Sequence, residues 1–463
     1  MKFSDRKIWI DAIGILRWGP QPCTGVQRVE LGLIEYALDH SDELGICMLD
    51  GATGSYRIAD AKAREFLRDI VAINRSKVAP NKHTKLRNLS TQLYFADKES
   101  VRRLASDISG SEGRTGSAYN LTKHTIRLFL WSFTGLRVPF SWITSGFGKL
   151  TNAAQIQKKQ PKPFILVSHE VNRNSGIVKS VEAAGCREAY IVYDLIPVRN
   201  PEFTSRRFTR TMGDFFQRIL SKPTTIIAIS ATTRDDLNDW SRTTVGVENE
   251  SNIHVCRLTN SVALDPTHDT PIAQLEGKRF ALMCSTIDIR KGQWSLVATW
   301  NRLSKILPPE DLPDLVLIGR KGNGWSDLER ELKAANAIAH KIHVLHRIKD
   351  SSLQWAYRNA EFCLFPSLAE GWGLGVSEAL AHGKPVIHSD IPILHEVSQG
   401  LMPSAKPHDV NAWTELLADI LSTPGRMAEL TRIVRTGYNA GKPDDFARGV
   451  ADHLIAKFDQ AAD

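Results

Sequence analysis

The chain has 463 residues, 42% apolar and 24% charged, which at roughly 150 residues per domain allows two or three domains with ample cores and excludes a disordered or fibrous protein. Its formal charge is +8, but residues 75–162 hold sixteen Lys/Arg against four Asp/Glu, a net +12 that leaves about −4 elsewhere. A basic block this long implies an anionic partner, with nucleic acid, anionic lipid and phosphorylated small molecules all compatible.

The opening Met-Lys-Phe-Ser-Asp-Arg-Lys puts charges where a signal peptide needs its apolar stretch, and nowhere do eighteen apolar residues run uninterrupted, so a cytoplasmic protein is expected. Further along, short apolar, β-branched runs alternate with helical patterns, the mark of βα units around parallel sheets. Strands are expected at 7–12, 164–169, 189–194, 225–229 and 254–258, then at 280–285, 314–319, 342–346, 362–366 and 385–388. In the second group the amphipathic stretches 292–303, 326–337 and 351–359 fill the gaps, so that half reads as a doubly wound domain without insertion. The first group is interrupted at about 52–162 by polar and basic sequence. Turn formers cluster at 263–271, and 443–458 reads as a terminal helix. The expected fold class is α/β with two Rossmann-like doubly wound domains, 1–264 and 265–440, the first carrying the basic insertion and the helix within 441–463 returning to it. Two such domains are expected to bind a ligand at the carboxyl ends of their strands.

Some features mislead. Ser145-Gly146-Phe147-Gly148-Lys149-Leu150-Thr151 has a phosphate-loop look, but Leu150 separates Lys149 from Thr151, and no strand leads into a clean Gly-x-Gly-x-x-Gly. His343 and His346, a lone pair beside a strand, read as structural. The six cysteines, Cys23, Cys47, Cys186, Cys256, Cys284 and Cys363, lie far apart without a Cys-x-x-Cys pair, so they are expected as reduced thiols in or near cores.

The chemistry is concentrated in residues 365–387. A strand ends near Glu370, the glycines Gly371, Gly373 and Gly375 allow close backbone approach, a helix opens near Leu374, and Glu378 sits about one turn inside it. Free amides at that helix start suit an anion, and Glu378 is placed to accept from a sugar's hydroxyl pair beside it. A glycine-rich turn with two solvated glutamates is the plainer alternative for any one of these residues. Together, Glu370 and Glu378 with Gly-Trp-Gly-Leu between them resemble the Glu-x7-Glu signature of family-four retaining glycosyltransferases, which have the two-Rossmann GT-B fold. Ile287-Asp288-Ile289-Arg290-Lys291-Gly292 is similar to the turn in which polysaccharide-making members hold the donor diphosphate. Leu317-Ile318-Gly319 and Val344-Leu345-His346-Arg347-Ile348 match strand ends that flank ribose and base. Cys23-Thr24-Gly25-Val26-Gln27-Arg28-Val29 is similar to the glycine turn of the N-terminal domain, and Val192-Tyr193-Asp194-Leu195-Ile196-Pro197 to a His-Asp-Leu-Ile-Pro segment. Two positions depart from the pattern: Thr286 replaces an arginine, leaving Arg290 to supply the second positive charge, and Tyr193 replaces a histidine.

The resemblance implies a retaining hexosyltransferase of the bacterial polysaccharide or lipopolysaccharide mannosyltransferase kind. Arg290, Lys291 and Glu370 would do the chemistry, without metal or cofactor. Gly25, Gly319, Arg347, Ile348, Gly371, Trp372, Gly373, Leu374 and Glu378 would bind the nucleotide-sugar donor, GDP-mannose being favoured. Tyr193, Asp194 and His169 would stand on the acceptor side. A glycan or polyprenyl-linked acceptor is expected, and no nucleic acid. The aromatic and basic residues of 126–142 suit either an anionic membrane surface, making the protein peripheral on the inner membrane, or packing on the N-terminal sheet. Competing readings are a nucleotide-sugar epimerase or phosphorylase on the same fold, a basic nucleic-acid-binding protein, and a non-catalytic partner.

Overall fold

A computed structural model describes residues 2–19, 23, 25–50, 54–76, 161–167, 177–247, 252–259 and 269–461. The phosphate-loop lookalike at 145–151, the aromatic stretch 126–142, His169 and most of the expected boundary segment lie outside them.

Two sheets carry the fold. The first contains β1 (Ile8–Asp11), β2 (Leu44–Asp50), β3 (Ser55–Ile58), β4 (Phe164–Val167), β5 (Arg187–Val192), β6 (Thr225–Ala228) and β7 (Ile253–Val255), in the order β3-β2-β1-β4-β5-β6-β7. β2 and β4 run parallel to β1, β7 runs parallel to β6, and β3 closes one edge antiparallel to β2. The second sheet contains β8 (Phe280–Cys284), β9 (Asp314–Ile318), β10 (Ile342–Leu345), β11 (Phe362–Phe365), β12 (Val386–Ser389) and β13 (Ser404–Ala405), ordered β10-β9-β8-β11-β12-β13 and parallel throughout. The doubly wound α/β class expected from the sequence is the class observed. Strands such as Phe-Ala-Leu-Met-Cys in β8 and Phe-Cys-Leu-Phe in β11 are near-continuous apolar runs because helices cover both faces of a parallel sheet.

The sequence reading placed ten strands within a few residues but omitted β2, β3 and β13. β2 begins Leu-Gly-Ile-Cys-Met, poor in β-branched residues. Its Gly45 is there because the fully buried Trp9 ring lies across it, and a Cβ would come within 2.3 Å of that ring. β3 and the helix Ala61–Ser76 fall inside the stretch read as inserted, although β3 pairs with β2 in the first sheet.

By contacts the chain divides into two compact units, Met1–Ala189 with Val450–Asp463, and Tyr190–Gly449. The terminal helix Asp445–Asp459 follows the expected 443–458, and in the first unit its Asp459 pairs with Lys7 Nζ at 2.7 Å. Within the second unit, the Glu396 carboxylate accepts from the amides of Ala231 and Thr232 at 2.8 and 2.9 Å, at the start of the helix Ala231–Trp240. The cysteines are free thiols, all buried except the half-buried Cys284.

Candidate active site

In the second sheet the chain winds outward from β8 to one side and from β11 to the other, so the topological switch point lies between these two strands. Ligands of open α/β sheets bind outside the carboxyl ends of the strands at such a point. The segments leaving β8 and β11 are Ser285–Gly292 and Pro366–Gly373, the two that hold Arg290-Lys291 and Glu370.

The turn after β8 is fixed from several directions. Asp288 caps it by accepting from the Arg290 amide at 2.9 Å. Gln293, 2% exposed, donates to Ser285 Oγ at 2.8 Å and to the Thr286 carbonyl at 2.9 Å, and accepts from the Asp288 amide at 3.3 Å. Asn323 accepts from the Ile289 amide at 3.2 Å. Gly319 lies so close beneath that a Cβ there would stand 1.7 Å from the Ser285 carbonyl oxygen. Gly292 closes the turn at φ 72°, against the His408 ring and the Pro366 carbonyl, where a side chain would be both strained and obstructed.

From the other strand, the Leu368 amide donates to the Arg290 carbonyl at 2.8 Å, joining the two segments through backbone. Lys291 Nζ lies 2.6 Å from Glu370 Oε2 and also contacts Oε1, while the Arg290 guanidinium is 3.3 Å from Oε2 and donates to the Ala369 carbonyl. Ser367, fully buried, donates to Glu370 Oε1 at 2.7 Å. The Glu370 side chain is 6% exposed; burial alone would raise its pKa, but Lys291 and Arg290 outweigh burial and, with Ser367, hold the carboxyl at about 2. Burial draws the Lys291 ammonium below its usual value against the pull of Glu370.

Asp194 belongs to the same constellation. A Cβ on Gly371 would lie 2.8 Å from Asp194 Oδ2 and 3.1 Å from the Tyr193 carbonyl oxygen. Asp194 accepts from the Ile196 amide at 3.0 Å, and burial raises its pKa against that bond and the charge of Arg290. The site thus collects two cations and two carboxylates.

The helix Leu374–Ala381 opens at Gly373, which offers no side chain to its first amides. Its start rests on both strand ends: a Cβ on Gly375 would meet the Phe365 ring and lie 3.1 Å from the Cys284 carbonyl oxygen. Glu378 sits farther along, 6% exposed, and accepts from the Tyr357 hydroxyl at 3.1 Å. Trp372 is buried at 8% exposure, its indole N–H without a partner among the described residues. Arg347, at φ 55°, and Ile348 follow β10, where His346 Nδ1 lies 2.5 Å from the Gly319 carbonyl oxygen. His343 Nε2 lies 2.8 Å from Asp314, so the two histidines serve different partners, as expected of structural ones.

The structure therefore brings Arg290, Lys291, Glu370, Gly371 and Asp194 together and sets Glu378 against Tyr357. Gly25, at φ 48°, starts the helix Val26–Asp39 in the other unit. Arg290 stands beside Lys291 on the same carboxylate. Sequence reasoning missed Ser367, Gln293 and Asn323. For Ser367 alone a local signal existed, a hydroxyl three residues before the signature glutamate.

Residues 278–423 match the family described as Glycosyl transferases group 1. They form a glycosyl transferases group 1 domain. The segment spans the second sheet, Arg290, Lys291 and both glutamates. Among curated proteins, the serotype-specific mannosyltransferase WbdA of Escherichia coli is 27% identical over 256 residues, which are 52% of this chain and 31% of that protein. The O-antigen chain mannosyltransferase RfbU of Salmonella typhimurium is 32% identical over 97 residues, covering 21% of this chain and 28% of that one. The chain thus spans about a third or less of the length of these relatives. Among solved structures, the sucrose-phosphate synthase of Thermosynechococcus elongatus aligns over 98% of this chain and 100% of its own with a TM-score of 0.56 at 14% identity, a likeness of fold. That fold is the GT-B class. Among the described residues, no helix is long and apolar enough to cross a membrane.

Proposed function

We propose that the protein is a retaining hexosyltransferase that moves mannose from GDP-mannose to a glycan or lipid-linked glycan in O-antigen or related surface polysaccharide synthesis, with no metal or cofactor. The observation that carries this reading is the half-buried Lys291–Glu370–Arg290 cluster at the switch point of a glycosyl transferases group 1 domain. The mannosyltransferase relatives favour the sugar, and the basic block 75–162 suits a lipid-linked acceptor or an anionic inner-membrane surface.

Breaking the bond between the anomeric carbon and the donor phosphate leaves an oxocarbenium-like sugar and an anionic nucleoside diphosphate, so charge must be met where it develops. Arg290 and Lys291 meet it from the turn after β8, and the first amides of the 374–381 helix meet it from the other side. Glu370 keeps both cations in place before the donor arrives and faces the sugar as positive charge builds on its ring. The departing phosphate oxygen takes the acceptor hydroxyl's proton on the face the donor leaves, which gives retention without an enzymic nucleophile. Donor binding falls to the 265–440 part and acceptor binding to 1–264, with Tyr193, Asp194 and His169 on the acceptor side.

The test is transfer by the purified chain from GDP-mannose, UDP-glucose and dTDP-sugars to polyprenyl-linked glycan acceptors, in EDTA, with the product's anomeric configuration read by NMR. An α-mannoside formed from GDP-mannose in EDTA supports the proposal. Inversion, or a requirement for divalent metal, refutes it.

A further inference from the structure

Behind the site, Glu378 is one end of a buried polar cluster for which the donor reading has no use. Tyr357, fully buried on the helix Asp350–Asn359, donates its hydroxyl to Glu378 Oε2 at 3.1 Å. The His382 ring stacks on the Tyr357 ring with centroids 5.1 Å apart and planes 20° apart. His382 Nδ1 lies 2.7 Å from the Glu378 carbonyl oxygen, and Nε2 lies 2.7 Å from Oε1 of Gln354, a residue 6% exposed.

The protons in this cluster can be assigned. Burial lowers the His382 pKa and so favours the neutral imidazole. A carbonyl oxygen only accepts, so in the neutral ring the proton sits on Nδ1; Nε2 then accepts once the Gln354 amide is flipped, exchanging Oε1 for the NH2 at the ring. Every member is thereby engaged, the condition under which a buried polar network fixes a geometry rather than weakening a core. Apolar side chains would fill this space between two helices without that requirement.

We propose that Tyr357 is a positioning residue for the donor's ribose. Its hydroxyl holds one oxygen of Glu378 and fixes the plane in which the carboxylate meets the 2′- and 3′-hydroxyls, while His382, clamped to Gln354, keeps the Tyr357 ring in register. This rests on Glu378 being the ribose contact. A carboxylate already held in the bound orientation loses less freedom when the ribose arrives, so the benefit appears in binding and not in the chemical step.

The experiment is calorimetric titration of GDP and 2′,3′-dideoxy-GDP, with UDP and its dideoxy form in parallel, into the full chain and into Tyr357→Phe. The wild-type protein is expected to bind the ribose form about tenfold more tightly than the dideoxy form, the scale of hydrogen bonds to a charged group. Tyr357→Phe is expected to bring that ratio within about twofold while dideoxy affinity barely changes, and to raise donor KM about tenfold at nearly constant kcat. His382→Ala should move the ratio the same way by less. A Tyr357→Phe protein that keeps the full ratio overturns the proposal. If that variant does not fold, an unchanged ratio in His382→Ala overturns it. A wild-type protein with no preference for the ribose form refutes the reading of Glu378 itself, and this proposal with it.

Discussion

Glu370 and Glu378 stand eight positions apart in one glycine-rich segment, the first half-buried and the second buried, and they meet different partners. Glu370, on the loop after β11, is held by two cations and a serine hydroxyl; Glu378, inside the following helix, is held by a phenol. The two cations hold the first well below the usual carboxylate range, at about 2, and in the proposed mechanism it belongs to the charge balance of the reaction. The second accepts from the Tyr357 hydroxyl, and in the proposed reading it belongs to recognition. Spacing alone made the two carboxylates look like one motif. Under the proposed function, their surroundings divide it into an electrostatic half and a binding half.

The largest expected effect comes from taking away the cation that defines the electrostatic half. Lys291→Ala should lower kcat at least a hundredfold, about 3 kcal/mol, with product formation from GDP-mannose as the readout. It should also lower the melting temperature, because Glu370 keeps its buried charge with only Arg290 nearby. Pairing it with Glu370→Gln in a double-mutant cycle should show less combined destabilisation than the sum of the single changes.

The second prediction uses pH. The folded pKa of Glu370 lies below its ordinary 4.5, so its contribution to stability is present above that value and is lost as pH falls through about 2. The gap in unfolding free energy between wild type and Glu370→Gln, read by denaturant titration, should be constant from neutral pH to about 5 and close steadily toward 2, amounting to about 3 kcal/mol at its plateau. A gap that closes near neutral pH would place some other group in control.

Gly319→Ala probes the support of the electrostatic half. Its methyl would meet the Ser285 carbonyl, so β9 or the Ser285–Gly292 turn has to move, at a cost of about 2 kcal/mol in denaturant titration and a drop in kcat. The smallest effect belongs to the binding half: Glu378→Gln should raise donor KM about tenfold, about 1.4 kcal/mol, with kcat within a factor of about three. If Glu378→Gln instead lowers kcat as far as Lys291→Ala does, the division between the two glutamates fails.

Much of this was legible in the sequence. The Ile-Asp-Ile-Arg-Lys-Gly turn and the Glu-x7-Glu segment each lie within a dozen residues, so one window shows the residue types and the spacing together. The second sheet was legible for the same reason: its strands are buried on both faces and read as unbroken apolar runs between amphipathic helices. What escaped are contacts between distant positions. Tyr357 is twenty-one residues before Glu378 and Asn323 is thirty-four after Ile289, and no local pattern marks either. β2 escaped because Gly45 answers to Trp9, a partner from another strand.

The claim on which the rest depends is that Lys291 and Arg290 hold the donor's diphosphate. Its most direct test is calorimetric titration of GDP and of guanosine, with UDP and uridine alongside, into wild type and Lys291→Ala. A wild-type preference for one diphosphate over its nucleoside, reduced to near nothing in Lys291→Ala while nucleoside affinity stays the same, is the predicted result; a Lys291→Ala protein that binds the diphosphate as tightly as wild type contradicts it.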